Sequence, residues 1–168
     1  MRRIVTLSLF IGMELALSAI ESLIPPFIPL PGIKLGLANI VTLTAFSLIP
    51  GKQVFLIVAL RLILTGLVLG TFLVPAFWLS CGGGLLSFFV MALLNGRRGI
   101  SVLGVSLAGA AAHNTGQVLA AAVLLSNSAI FYYMPWLLLW SLPMGLATGF
   151  SARAAIQALS RGGLNDKI

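Results

Sequence analysis

Few side chains in this sequence can do chemistry, and they fall in clusters. Glu14, Ser18 and Glu21 stand four and seven residues apart, a spacing that puts them on one face of a helix. Arg61 is set inside a long apolar run. His113, Asn114 and Gln117 form a second group. His113 and Gln117 share a helical face, and Asn114 is about 100° round from His113. Lys34 and Asn39 lie in a Pro- and Gly-rich stretch between these groups. Carboxylates, a guanidinium and amides can orient a polar ligand, and a single imidazole can also relay a proton. One His, one Cys (Cys81) and scattered carboxylates do not make a metal ligand set, and a lone cysteine excludes an internal disulfide framework. No metal and no cofactor is expected.

The elements that position these groups follow from composition. The chain has 168 residues, 60% hydrophobic and 8% charged, with a mean hydropathy of +1.12. A soluble domain is near 45–50% apolar and roughly 25% charged. Ten Lys and Arg and three acidic residues cannot cover a water-soluble globule of this size. A soluble enzyme, a disordered protein and a nucleic-acid-binding domain are excluded. The expectation is one all-α transmembrane domain over residues 1–168, with membrane lipid as its surroundings.

A spanning helix needs about 20 mostly apolar residues, and Gly and Pro mark the boundaries. Six spans are read: about Ile4 to Ile24, a second ending near Ile49, Lys52 to about Thr71, Pro75 to Leu94, Ile100 to Ser126, and Ile130 to Leu159. With a cytoplasmic N-terminus, the inner segments hold Arg2, Arg3, Lys52, Arg97, Arg98, Arg153, Arg161 and Lys167, and the outer segments hold only Lys34. That asymmetry satisfies the positive-inside rule and places both termini in the cytoplasm. It also accounts for the net charge of +7, since cations at the inner surface meet anionic lipid. Arg2-Arg3 before an apolar run resembles a signal peptide, but Glu14 in the middle of that run argues against cleavage.

Ionisable groups inside a membrane face a partner or a cavity. Arg61 and Glu14 lie nine and about ten residues from the inner ends of their spans, ~14 Å deep at 1.5 Å per residue. The matching depths predict a buried Glu14–Arg61 pair, which either locks spans one and three together or serves a ligand. The segment Ile28 to Asn39 is too apolar for a solvated loop and too rich in Pro and Gly for a regular span. It reads as an outer lid-like piece over about residues 25–36, or else as a connector with Lys34 reaching the interface. Residues 160–168 read as a basic cytoplasmic tail. Ser8, Gly12 and Ala16 repeat every four residues on span one. Such a small-residue ridge admits another helix, and it points away from the Glu14 face. Gly82, Gly83 and Gly84 have no following Gly-Lys-Ser/Thr and so are not a phosphate loop; they mark a helix break or a close crossing. Trp78, Trp136, Trp140, Tyr132 and Tyr133 read as interfacial anchors.

Several stretches carry a resemblance. ESLIP at Glu21 to Pro25, PGIKLGLANIVTL at Pro31 to Leu43, AFWLSCGGGLLSFFVM at Ala76 to Met91 and GAAAHNTGQ at Gly109 to Gln117 look like the Gx transporter family, with the older label heptaprenyl diphosphate synthase component I. That family is similar in size and span count to the S components of energy-coupling-factor (ECF) vitamin transporters. The resemblance implies a six-helix bundle with an outward pocket capped by the loop after helix one. It also implies a small-residue face, here Ser8, Gly12 and Ala16, that docks an ECF coupling subunit driven by ATPases. Prenyl diphosphate synthases hold magnesium and diphosphate with clustered aspartates, whereas Asp166 is this chain's single Asp. A non-enzymatic role is therefore expected.

The first functional expectation is a substrate-binding subunit for uptake of a small vitamin or precursor, in a bacterial plasma membrane. Its site would be lined by Glu14, Glu21, Lys34, Asn39, Arg61, His113, Asn114 and Gln117. A second is a membrane accessory of an isoprenoid-quinone or flavin-linked pathway. A third, proton-coupled transport, rests on Glu14 and His113.

Overall fold

The computed structural model describes residues 2–23 and 36–161. Most of the lid-like segment, with Lys34, and the tail from residue 162 onward lie outside the described residues. All the regular structure described is helical: α1 (Arg2–Leu23), α2 (Asn39–Phe46), α3 (Gly51–Val68), α4 (Pro75–Leu94), α5 (Val102–Leu125), a 3-10 segment (Ser128–Tyr133) and α6 (Met134–Arg161). Pro75 opens α4 in its first turn, where a missing N–H costs nothing. The Ser101 hydroxyl caps α5 by accepting from Gly104 N–H at 3.2 Å. Between α4 and α5 the turn passes through Gly96 and Gly99, both at positive φ, a conformation that glycine adopts without a Cβ penalty.

Ile4–Leu23, α3, α4 and the stretch Ser128–Arg161 are each long and apolar enough to cross a membrane. Helix α5 is longer than α4 but is interrupted by His113, Asn114 and Gln117. It packs along both α4 and α6. The expected second span is corrected. α2 is eight residues, ~12 Å at 1.5 Å per residue, too short to cross alone. Pro50 is extended, at φ −60° and ψ 143°, and serves as the N-cap of α3.

Contacts along the helices give their directions. Glu14 meets Arg61, and Ser18 and Glu21 share a cavity with Thr65 and Gly66, so α1 and α3 run parallel. α2 runs back along α1, from Gly36 beside Glu21 to Thr42 beside Glu14 and Val41 and Ala45 in the cluster with Phe10. α4, α5 and α6 then alternate. The described ends of α1 and α6 therefore lie together, and Thr6, Leu9, Ala155 and Leu159 line one groove. That end also exposes Lys52, Arg97, Arg98 and Arg161. The opposite end exposes Trp78, Tyr132, Tyr133 and Trp136, as interfacial aromatics do.

Short as it is, α2 touches all five other α-helices. Six of its eight residues are buried, as expected of a helix enclosed on every side. One apolar cluster joins Phe10, Val41, Ala45, Ile49, Ile57 and Phe88; another joins Leu43, Met91, Val105 and Ala152. The long interfaces rest on glycine. A Cβ on Gly82 would lie 2.6 Å from Gly116 O, and one on Gly149 2.9 Å from Leu103 Cδ2. The Gly82–Gly84 run is thus a close crossing within an unbroken α4, one of the two expectations for it. Polar stitches add to this packing: Ser87 Oγ donates to Gly109 O at 2.9 Å, and Ser106 Oγ to Gly145 O at 2.8 Å. Interhelical hydrogen bonds of this kind in membranes contribute about 0.6–2 kcal/mol each.

Candidate functional site

The periodicity of α1 turns Glu14, Ser18 and Glu21 inward together; all three are buried. Glu14 is 0% exposed and Arg61 5%. Arg61 Nε lies 3.3 Å from Glu14 Oε2, and Thr42 Oγ1 donates to Glu14 Oε1 at 2.5 Å. The carboxylate thus links α1, α2 and α3. A charge in the membrane interior requires such compensation. Gly84 lets the guanidinium lie against α4, since a Cβ there would be 3.0 Å from Arg61 Nη2.

Beyond this pair, toward the aromatic end, a cavity of about 20 Å³ is lined by Ser18, Glu21, Arg61, Leu62, Thr65, Gly66, Thr71, Phe77, Ser80 and His113. It draws on α1, α3, α4 and α5. That volume holds about one water, so a larger guest must part the walls. Gly36 N–H donates to Glu21 Oε1. His113 reaches the cavity because Gly83 leaves room for it: a Cβ there would be 3.1 Å from His113 Cε1.

The residues singled out by sequence separate into groups. Glu21, Arg61 and His113 line the cavity, and Glu14 adjoins it through Arg61. Asn39 is buried at the start of α2 beside Gly36, and Gly36 also neighbours His113. Gln117 is buried a turn beyond His113, against Gly83. Asn114 turns elsewhere: its amide donates to Leu137 O on α6 at 2.8 Å. Lys34 lies outside the described residues. Ser8, Gly12 and Ala16 are all exposed, and nothing lies within 4 Å of a Cβ placed on Gly12. The ridge therefore faces away from the bundle. Thr42, Thr65, Thr71, Ser80 and Phe77 were missing from the sequence-level site. Thr65 had a readable signal, one helical turn after Arg61. Thr42 had none, because its partner is 28 residues away.

Long apolar helices around buried charges define a multi-pass membrane protein with a polar site in its interior. No curated protein and no solved structure matches the chain. The profile of the heptaprenyl diphosphate synthase component I family matches residues 10–155, and the chain belongs to that family.

Proposed function

We propose that the chain is the substrate-binding membrane subunit of an uptake transporter for a small vitamin or precursor, of the ECF S-component type. The observation that carries this reading is the buried cavity between α1, α3, α4 and α5, with Glu21, Arg61 and His113 in its walls. Buried ionisable groups facing an internal space are the usual mark of a substrate or ion path. The outward ridge of Ser8, Gly12 and Ala16 supports a second role, docking of a transmembrane coupling subunit. The chain itself is non-catalytic in this reading, and ATPases reached through that subunit supply the energy. The basic end faces the cytoplasm of a bacterial plasma membrane, in keeping with the positive-inside rule. The cavity then lies on the outer side of the Glu14–Arg61 pair.

The test is purification in mild detergent, followed by mass spectrometry of retained small molecules and of partner proteins. A retained polar metabolite together with a coupling subunit supports the reading. Loss of metabolite binding on Arg61→Lys, with the fold intact, places the molecule at this cavity. A protein that carries neither ligand nor coupling subunit sinks it.

A second reading comes from the family's description as a synthase component. In it the chain is a membrane accessory to a separate catalytic prenyl diphosphate synthase. Copurification with such a soluble enzyme, without a retained metabolite, would favour it.

A further inference from the structure

A groove separates α1 from α6. No Cα of α1 comes within 8 Å of a Cα of α6, whereas α2 touches both helices. The space left between them is about 370 Å³ and is floored by α2, a volume within the ~300–1,000 Å³ of ligand sites. Its walls are apolar: Leu9 and Met13 stand on α1, and Ala155, Ala158 and Leu159 on α6. On the floor, the Thr44 hydroxyl donates to Ile40 O at 2.8 Å, so it needs no acceptor from a guest.

The groove has a direction and a charged end. It follows α1 from Thr6 to Met13, ~10 Å at 1.5 Å per residue, with Thr6 and Leu159 toward the basic end. One leaflet is half of a ~30 Å hydrocarbon core, so the groove stays within the leaflet at that end. Arg161 follows Ala158 by three residues, which makes the two neighbours on a helix, and it is exposed. Lys52, Arg97 and Arg98 are exposed at the same end, while the described carboxylates, Glu14 and Glu21, are buried. An anionic head there meets cations and no like charge among the described residues. A partner helix fits this groove less well. Close helix contacts use small residues, and those of α1 (Ser8, Gly12 and Ala16) lie on its neighbouring face, whereas the groove wall carries Leu9 and Met13. We propose that the groove holds one acyl chain of an anionic phospholipid, with the headgroup phosphate at Arg161. This site is separate from the cavity beside Arg61 and stands independently of the transport reading.

The experiment is native mass spectrometry of the full chain in detergent, with dioleoyl phosphatidylglycerol, dioleoyl phosphatidylcholine or glycerol phosphate added at equal concentration. One phosphatidylglycerol per chain should stay bound, and phosphatidylcholine about fivefold less. Arg161→Gln should lower phosphatidylglycerol retention about fivefold, the effect of one cation near an anionic membrane surface, and leave phosphatidylcholine unchanged. Ala155→Phe fills the groove and should abolish retention, with the melting temperature in lipid-free detergent unchanged. If that variant loses its fold, Ala158→Leu, at an exposed position, should still lower retention. Equal retention of the two lipids overturns the proposal, as does retention untouched by the groove variants. Displacement of the lipid by glycerol phosphate would show a headgroup site without the groove and overturn it too. Displacement by a copurifying protein would assign the groove to that protein instead.

Discussion

Glu14 and Arg61, 47 residues apart in sequence, meet at 3.3 Å in the interior of the helical bundle. Thr42 holds the other carboxylate oxygen, so one acidic group ties a central short helix to two long ones. Removing one partner leaves a buried charge without its counter-ion. Arg61→Ala is expected to destabilise the protein by about 3–5 kcal/mol. The double variant Glu14→Leu, Arg61→Met should be near neutral in stability or better, because well-packed apolar pairs often replace buried ion pairs without loss. Melting temperatures in detergent distinguish the two; equal loss in both would show that the pair is not the source of the effect.

The α4–α5 crossing has no room for a methyl group. Gly82→Ala would bring a Cβ to 2.6 Å from the Gly116 carbonyl, against backbone that cannot rotate away. Overpacking of this kind costs about 1–3 kcal/mol. Gly12→Ala, with open space around it, should be neutral within about 0.5 kcal/mol. A thermal scan of both variants checks this; a neutral Gly82→Ala would mean that the helices pack further apart.

Gly12→Leu addresses the outward ridge. Its side chain enters no packed space within the chain, so folding and retention of a small ligand should be unchanged. Copurification of a coupling subunit should fall at least tenfold, because small-residue contacts depend on close approach of backbones. Normal recovery of that subunit would remove the ridge from the interface.

Neighbouring residues on α5 should part in their effects. Asn114→Leu breaks the 2.8 Å bond to Leu137 O and should lower stability by about 0.6–2 kcal/mol, with ligand retention preserved. His113→Leu alters a cavity wall and should abolish retention. Mass spectrometry of the retained metabolite after a melting scan reads both quantities, and matching behaviour of the two variants would contradict the division.

Orientation is testable with single cysteines in a Cys81→Ser background. Gly96→Cys lies at the basic end and Asn127→Cys at the aromatic end. A membrane-impermeant thiol reagent applied to intact cells should label Asn127→Cys alone. The reverse pattern would invert the topology.

Much of this protein is legible in its sequence because lipid is an exacting solvent. Apolar runs bounded by Gly and Pro locate the long helices, since backbone groups in a membrane must bond within their own segment. The α4 boundaries, Pro75 and Leu94, coincide with those read from composition. Helical spacing places Glu14, Ser18 and Glu21 on one face and the Gly12 ridge on another, and equal depth brings Glu14 to Arg61. What only the tertiary structure decided is contact between segments. Apolarity marks a residue as belonging in the membrane without saying whether it meets lipid or protein. The shortness of α2 and its central position were therefore hidden, because its residues read like any other span. The turn of Asn114 away from His113 depends on where α6 lies. The roles of Thr42 and Gly84 appear only when α1 and α3 come within hydrogen-bond or van der Waals range of them.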